Sequence, residues 1–240
     1  MFTYFISDLH LEESRPEMTG IFLHFLKNEA IKAEALYILG DFFEFWIGDD
    51  DKSPFADEIR NALHSATQKG LPIYIMHGNR DFLLKKTFFR ATGCQLLPEQ
   101  TVIHLYGVPT LLMHGDTLCT ADTAYLKARK YVRNRIVQTL FLLKSFEKRQ
   151  RIVTGYRNAS KAHTSTASDS IMDVTQAEVE RVMLVNHVEH LIHGHTHRQA
   201  VHTFQLNNQL ATRTVLGAWH EYGNALICHA DGKQAFVDLR

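Results

Sequence analysis

Cysteine is scarce in this sequence of 240 residues, which contains only Cys94, Cys119 and Cys228. They form no Cys-x-x-Cys pair, and their odd number does not suggest a disulfide framework of the kind found in small secreted proteins. Because 45% of the residues are apolar, the chain can bury a core without covalent cross-links. The sequence therefore favours a globular protein of a reducing compartment, the cytoplasm.

Long apolar runs are missing as well. No window approaches the roughly 20 apolar residues that a membrane-spanning helix needs. Residues 1–11 have no basic stretch followed by a long apolar run, and they become polar at Ser7 and Asp8, so a secretory signal is not expected. We expect a soluble protein, or one attached to a membrane surface.

The sequence has no net charge, since 26 basic residues balance 26 acidic ones. The charge is nevertheless unevenly distributed along the chain. Residues 121–161 contain eleven lysines and arginines against only Asp122 and Glu147, a net charge of +9. This asymmetry predicts an anionic partner at one face: a phosphorylated ligand, a nucleic acid or an acidic lipid surface.

The first third of the chain alternates between strand and helix patterns. Apolar runs at 2–7, 35–40 and 73–77 predict strands, and helical spacing after Pro16 and from Pro54 to Lys69 predicts the helices between them. Such alternation implies parallel strands in an α/β fold. Ligands of open parallel sheets bind beyond the carboxyl ends of the strands, where these runs end in polar residues.

The rest of the chain predicts a hairpin, a helical segment and further strands. The hairpin spans 101–106 and 109–114, residues 121–170 are mostly helical by pattern, and a helix is expected at about 176–187. Strand patterns follow at 190–193, 200–206, 211–216, 225–229 and 235–239. We expect a single domain over residues 1–240 that carries a helical insertion at 121–170.

Five apolar strand patterns end in residues that can bind metal ions. The five segments are Asp8-Leu9-His10, Gly40-Asp41, Gly78-Asn79-Arg80-Asp81, His114-Gly115-Asp116 and Gly194-His195-Thr196-His197. An Asp-x-His or His-x-His spacing places two ligands on the same side of an extended backbone. Carboxylate, amide and imidazole ligands without a thiolate favour Mn²⁺, Mg²⁺ or iron. A hydrolytic pair of cations sharing one carboxylate fits this mixture.

In this order, the five segments resemble the signature of the calcineurin-like metallophosphoesterases. The resemblance implies a two-layer mixed β-sandwich flanked by helices, with the insertion at 121–170 forming a lid over the active site. It also implies which residues bind metal: Asp8, His10, Asp41 and His197 on one cation, and Asp41, Asn79, His114 and His195 on the other. Asp41 would bridge the two cations, and Asp41, Asn79, His114 and His195 would form the catalytic group.

One position departs from the wider family, because Arg80 stands where a proton-donating histidine is usual. Arginine does not donate a proton at working pH, but it can bind a phosphate through two parallel hydrogen bonds. This suits a substrate whose leaving group is already a stable anion, such as a sugar 1-phosphate. The position therefore favours phosphate binding over general acid catalysis.

Longer stretches at 35–50, 78–84, 111–122, 171–175 and 191–198 resemble the branch of the family that acts in lipid A synthesis. That resemblance implies Mn²⁺-dependent hydrolysis of a UDP-linked diacylated glucosamine at its α-phosphorus, releasing UMP and the sugar 1-phosphate. It assigns substrate contacts to Asn79, Arg80, Asp122, Ser160 and His195. Positions 164 and 167 depart from the relatives, yet Ser160, Thr164 and Ala167 share one helix face, and we expect all three to line the pocket.

The insertion suits a lipid substrate. Between Tyr131 and Phe146 apolar residues alternate with Arg133, Arg135 and Lys144, a pattern typical of an amphipathic surface helix. Its apolar face would contact acyl chains, and its cations would contact phosphates or anionic lipid headgroups. We expect a monomer, attached peripherally to the cytoplasmic face of the inner membrane, with no nucleic-acid partner.

Three other functions are compatible with parts of the pattern. A phosphatase acting on nucleotides or phosphoproteins would use the same metal ligands. A nuclease would use the basic segment, although the apolar residues within it argue against this. A non-catalytic scaffold would tolerate the loss of ligands, whereas all seven are present. For His77, His193, Asp81 and Asp116 we expect supporting roles, and for the acidic run at 49–51 a solvated loop and helix start.

Overall fold

The computed structural model describes the backbone of residues 1–166 and 173–240, and the side chains of residues 1–156 and 173–240. It contains two sheets and seven α-helices within that part of the chain. The strands are β1 (Phe2–Ile6), β2 (Ala35–Leu39), β3 (Ile73–Met76), β4 (Gln95–Leu97), β5 (Gln100–Leu105), β6 (Val108–Met113), β7 (His190–His193), β8 (Ala200–Leu206), β9 (Gln209–Val215), β10 (Gly223–His229) and β11 (Gln234–Leu239). The helices are α1 (Pro16–Asn28), α2 (Pro54–Gln68), α3 (Lys86–Thr92), α4 (Thr123–Val132), α5 (Arg135–Leu142), α6 (Phe146–Thr166) and α7 (Gln176–Val185).

Both sheets are mixed. The first has the order β11-β10-β1-β2-β3-β4, in which β1 to β4 are parallel and β10 and β11 are antiparallel. The second has the order β5-β6-β7-β9-β8, in which β6, β7 and β9 are parallel and the outer hairpins are antiparallel. The predicted two-layer mixed sandwich is therefore confirmed.

One apolar layer lies between the sheets. Phe5, Leu39 and Met76 of the first sheet pack with Leu112 and Ile192 of the second, and all five are buried. Side chains alternate along a strand, so the neighbours of Phe5 in β1 point the other way. The strand patterns thus bury both faces of the central strands, as parallel sheets require.

Helices cover the two outer faces. The apolar faces of α1, α2 and α3 pack on the first sheet in a cluster that includes Phe22, Leu63 and Phe88. Helix α7 packs on the second sheet through Val179 and Met183. Burying one such large apolar side chain stabilises the fold by roughly 1.5 to 3 kcal/mol. This packing leaves the carboxyl ends of the parallel strands free to form a site.

The insertion differs from the continuous amphipathic helix expected over residues 131–146. Helix α4 ends at Val132, and α5 starts after Asn134, whose side chain accepts hydrogen bonds from the backbone N–H groups of Ile136 and Val137. Asparagine is a strong N-cap residue, so it starts a new helix at this point. The amphipathic segment is therefore the short helix α5. Within the described part of the chain, no helix is both long and apolar enough to cross a membrane.

Candidate metal centre

The loops that follow β1, β2, β3, β6 and β7 carry the five predicted motifs. Several of their residues have a left-handed backbone conformation, with φ between 49° and 70°: Asp8, His10, Asp41, His195 and His197. This conformation reverses the chain sharply, so that side chains immediately beyond a buried strand turn into the space above the sheet edge. Asp and His tolerate it better than most residues other than glycine.

Hydrogen bonds in which backbone groups take part connect these loops to one another. The N–H group of Gly194 donates to the carbonyl of His114 at 2.8 Å, and the N–H group of His195 donates to Oδ2 of Asp8 at 2.8 Å. Nδ1 of His114 lies 2.8 Å from the carbonyl of Leu39, which accepts its proton. The other ring nitrogen of His114 is then an acceptor that faces the site.

Asp8, His10 and His197 form a first group of candidate ligands, whose ligand atoms all lie within 4.8 Å of one another. Nε2 of His10 is 3.3 Å from Nε2 of His197, which is 3.4 Å from Oδ1 of Asp8. This Asp8 oxygen is buried and has no hydrogen-bond partner among the described residues. A buried carboxylate oxygen without a partner costs free energy unless a cation binds it, so the group fits a divalent metal.

A second group consists of Asp8, Asp41 and His114, again within 4.8 Å. Oδ1 of Asn79 lies 2.9 Å from Nε2 of His114 and 3.0 Å from Nδ1 of His195. The structure thus brings all seven predicted metal ligands together where the carboxyl ends of parallel strands from both sheets meet. Asp8 belongs to both groups, and the role of Asp41 as the bridge stays a prediction.

Burial and nearby charges shift the pKa values of the site in both directions. Burial alone would lower the pKa of His114 and of His197, but the carboxylates of Asp8 and Asp41 raise both above the ordinary value. Burial alone would raise the pKa of the Asp8 carboxyl, but the contact with His197 and the other nearby imidazoles bring it below its ordinary value. Burial and the adjacent His114 lower the pKa of His195 to about 4, so its imidazole is neutral near pH 7. A neutral imidazole and an ionised carboxylate are the forms that bind metal ions.

Arg80 lies beside this cluster. Its Nε is 3.6 Å from Oδ2 of Asp41, and its Nη1 is 2.8 Å from Oε1 of Glu44. The guanidinium also lies over the ring of Phe45, 5.5 Å from the centroid. Its position agrees with the predicted role in phosphate binding, which stays a prediction.

Two aspartates support the ligand loops, as expected. Asp81 accepts hydrogen bonds from the backbone N–H groups of Gly78 and Phe42 at 2.7 and 2.8 Å. Asp116 accepts hydrogen bonds from the Tyr125 hydroxyl at 2.5 Å and from Nε of Arg129 at 2.6 Å. The first helix of the insertion, α4, is therefore attached directly to the loop that carries His114.

His193 also supports the site. Its Nδ1 donates to the carbonyl of Gly194 at 2.8 Å, and its Nε2 lies 3.2 Å from Nη1 of Arg213, which donates to it. Burial and the charge of Arg213 lower the pKa of His193 to about 3, so this imidazole is neutral as well. The sequence analysis missed the role of Arg213, because an arginine within a strand pattern gives no signal of its own.

Glu44, Tyr125 and Arg129 were missed too. Tyr125 and Arg129 are four residues apart on α4, and this spacing places both on one helix face. The sequence could therefore have predicted that they act together. Glu44 follows Asp41 by three residues in a loop, where no periodicity applies. Its partners come from distant parts of the chain, so only the folded structure identifies it.

The predicted substrate contacts lie partly at the metal centre, partly in the insertion and partly outside the described residues. Asn79, Arg80 and His195 lie at the metal centre, whereas Asp122 is the N-cap of α4, where its Oδ1 accepts a hydrogen bond from the N–H group of Tyr125 at 2.8 Å. The side chains of Ser160 and Thr164 lie outside the described residues, as does Ala167 entirely.

The acidic run and part of the basic segment have structural partners. Asp49 accepts hydrogen bonds from the N–H groups of Lys85 and Phe88 at the start of α3, so this carboxylate starts a helix other than the expected one. Asp50 forms a bidentate ion pair with Arg149, which is 1% exposed. Such a basic residue is neutralised within the fold. The positive charge counted along the sequence of the insertion is therefore larger than the charge that can attract a nucleic acid.

A cavity of about 470 Å³ begins at the metal centre and extends between the core and the insertion. Asn79 and Arg80 of the metal centre belong to its lining, and the remaining wall is largely apolar, with contributions from Trp46, Phe82 and Phe141. Cations of the insertion are part of the lining as well. The arrangement can hold a polar phosphate beside Asn79 and Arg80 and an apolar group against the rest of the wall.

Comparisons with known proteins agree with this geometry. A model of the calcineurin-like phosphoesterase family matches residues 3–199. The UDP-2,3-diacylglucosamine hydrolase of Photobacterium profundum is 50% identical over 232 residues, 97% of this chain and 95% of that protein. The protein of the same name from Serratia proteamaculans is 51% identical, with 96% of each chain covered.

A solved structure described as a novel archaeal phosphodiesterase has the same fold. Its TM-score is 0.52 at 12% identity, and all of each chain is covered. The fold, the ligand geometry and the long alignments lead to one conclusion. This chain belongs to the calcineurin-like phosphoesterase family, among the members named UDP-2,3-diacylglucosamine hydrolases.

Proposed function

We propose that this chain hydrolyses UDP-2,3-diacylglucosamine by attack of water on the α-phosphorus. The products are UMP and 2,3-diacylglucosamine 1-phosphate, an intermediate of lipid A biosynthesis. The observation that carries the proposal is the cavity, whose lining includes Asn79 and Arg80 of the metal centre and is otherwise largely apolar. The name shared by relatives that are about half identical over nearly the whole chain supports the same substrate.

Two Mn²⁺ ions are the proposed cofactors, with Mg²⁺ or another divalent metal as a substitute. Asp8, His10, Asp41 and His197 would hold one ion, and Asp41, Asn79, His114 and His195 the other. Oxygen and imidazole ligands without sulfur support this choice. Such ions, when bound, lower the pKa of water and stabilise the negative charge that develops on the phosphoryl oxygens.

The chain's own residues orient the substrate. Arg80 would bind the diphosphate, because its guanidinium lies at the metal centre with one edge held by Glu44. No general acid is needed, since the departing sugar 1-phosphate is already a stable anion. Asn79, His195 and Asp122 are the further proposed contacts, together with Ser160, Thr164 and Ala167.

The insertion, residues 121–170, is the proposed lid and membrane-facing element. Large apolar side chains of α5 and its end are exposed, with Ile136 at 71%, Leu140 at 57% and Leu143 at 77%. Arg135 and Lys144 are close to them in the sequence, a combination that suits an anionic lipid surface. We infer a monomer attached peripherally to the cytoplasmic face of the inner membrane.

The decisive experiment uses metal-free protein and UDP-2,3-diacylglucosamine in detergent, in ¹⁸O-labelled water, with and without Mn²⁺. Mass spectrometry of the products is expected to find UMP that carries the label, and only when Mn²⁺ is present. Label in the sugar 1-phosphate would place the attack on the other phosphorus. No cleavage, together with turnover of simple phosphomonoesters, would favour a general phosphatase and contradict the proposed substrate.

A further inference from the structure

Glu44 lies in the loop after β2, three residues beyond Asp41. Its side chain is buried, with 8% of the residue exposed. The loop is held in place by the backbone, because the N–H group of Glu44 donates to the carbonyl of Leu11 at 3.0 Å and Phe43 forms a parallel bridge with Leu11. The carboxylate therefore occupies a fixed position, and burying a charge there costs free energy unless it is paired.

The carboxylate faces two different groups of the site. Oε2 lies 3.1 Å from Nδ1 of His10, and Oε1 lies 2.8 Å from Nη1 of Arg80. Nδ1 of His10 is buried and forms no hydrogen bond of good geometry among the described residues, and the Glu44 oxygen is the acceptor 3.1 Å from it. One buried carboxylate thus contacts a candidate metal ligand and the candidate phosphate-binding residue at once.

The contact with His10 has a consequence for metal binding. A carboxylate accepts protons and cannot donate one when ionised, so it favours the His10 tautomer with hydrogen on Nδ1. Nε2 is then a free acceptor, and this atom faces Nε2 of His197 at 3.3 Å. Two imidazole nitrogens at this separation, next to Oδ1 of Asp8, favour a cation between them.

The contact with Arg80 has a consequence for phosphate binding. On its Nε side, the Arg80 guanidinium has the longer contact of 3.6 Å with Oδ2 of Asp41. Because Glu44 fixes Nη1, the guanidinium loses less conformational freedom when it binds an anion.

We propose that Glu44 is a positioning residue that orients both His10 and Arg80, so that metal binding and phosphate binding depend on one carboxylate. The part concerning Arg80 rests on the proposed function, whereas the part concerning His10 does not.

The test compares Glu44→Gln with Glu44→Asp and with the control Glu34→Gln. A glutamine amide has one acceptor oxygen, so its NH₂ group must face either His10 or Arg80, both of which present donors. Asp keeps the charge and both oxygens. Glu34 pairs with the Tyr106 hydroxyl at 2.7 Å and precedes β2, at the end of the strand remote from Asp41.

Mn²⁺ affinity of the metal-free proteins is measured by calorimetry and by the electron paramagnetic resonance signal of free Mn²⁺, after thermal melts have established folding. We expect Glu44→Gln to weaken Mn²⁺ binding by about 10- to 100-fold, as for other outer partners of metal-binding histidines. Glu44→Asp should retain more affinity than Glu44→Gln, and Glu34→Gln should match the parent. Parent-like Mn²⁺ binding by a folded Glu44→Gln, or weaker binding by Asp than by Gln, overturns the inference.

UMP binding tests the second contact. At Mn²⁺ concentrations that saturate every variant, we expect Glu44→Gln to weaken UMP binding in the parent background and to have no further effect in an Arg80→Ala background. Equal effects in both backgrounds overturn the coupling to Arg80. If the parent fails to cleave UDP-2,3-diacylglucosamine while Glu44→Gln still weakens Mn²⁺ binding, the proposed function fails and the role of Glu44 at His10 stands.

Discussion

The hydroxyl of Tyr125 donates a hydrogen bond of 2.5 Å to Oδ2 of Asp116 and thereby fastens the insertion to the loop of His114. Arg129, one turn further along α4, donates to the same oxygen. The aspartate lies two residues beyond His114, so the position of the insertion and the position of a candidate metal ligand are mechanically linked.

Removing this hydroxyl should destabilise the protein. Tyr125→Phe leaves a buried carboxylate with one donor fewer, and hydrogen bonds to charged groups contribute about 1.5 to 3 kcal/mol. We expect a loss of that size in the free energy of unfolding, measured by urea denaturation of the metal-free protein near pH 7. Tyr131→Phe, on the same helix and 68% exposed, serves as the control, with an expected change within about 0.5 kcal/mol. Equal midpoints for the two variants would contradict the role assigned to the bond.

The ion pair between Asp50 and Arg149 should make stability depend on pH. The hydrogen bond from Arg149 lowers the pKa of Asp50, so the pair stabilises the folded state above the ordinary aspartate pKa of about 3.9 and loses its effect as pH falls through the lowered value. Asp50→Asn should therefore be less stable than the parent at pH 7, and the difference should shrink below about pH 4. Urea titrations at several pH values measure it. A difference that is independent of pH would exclude an ionic contribution.

Gly78 should not accept a side chain. A Cβ atom at this position would overlap Oδ1 and the backbone nitrogen of Asp41. We expect Gly78→Ala to displace Asp41, to abolish turnover and to weaken Mn²⁺ binding in calorimetry. The matched control is Gly20→Ala in α1, where a Cβ meets nothing within 4 Å. That change should instead stabilise the fold by about 0.5 to 1 kcal/mol. Parent-like Mn²⁺ binding by Gly78→Ala would show that the loops of Gly78 and Asp41 can move apart without weakening the metal site.

Arg80→Lys tests whether charge alone is sufficient at this position. Lysine keeps the charge but lacks the planar fork that binds two phosphate oxygens, and removing such a preorganised donor costs about 100-fold or more in rate. We expect kcat/KM for UDP-2,3-diacylglucosamine to fall by that amount, with Mn²⁺ affinity retained. Arg90→Lys, on the exposed surface of α3, should behave like the parent. An Arg80→Lys enzyme with parent kinetics would remove the guanidinium from the phosphate site.

Most of the fold follows from apolar periodicity, because the central strands are buried on both faces and the covering helices have one apolar side. The exceptions are short. Strand β4 has three residues, two of them exposed, and α3 has seven, so neither contains enough periods to be recognised. The break at Asn134 depends on a single capping side chain and is invisible to a pattern of apolar residues.

The residues of the site also fall into a group that could be predicted from the sequence and a group that could not. The candidate metal ligands, which the structure brings together, each follow a strand end, and strand ends can be predicted from the sequence. The residues that hold them could not be predicted, since Glu44 and Arg213 act on partners more than 15 residues away in the chain. Such partnerships are set by which strands lie side by side within a sheet, which a linear pattern does not contain.

The left-handed backbone at the strand ends also bears on how this protein can evolve. For most residues that conformation costs about 1 to 2 kcal/mol of free energy, whereas for Asn, Asp and Gly the cost is smaller. At Asp8 and Asp41, a change to valine is therefore selected against twice, by folding and by chemistry, whereas a change to asparagine is selected against by chemistry alone. Descendants that lose activity but keep the fold should drift towards asparagine and glycine at these positions. The site would then disappear from such lineages while the backbone that shaped it remained.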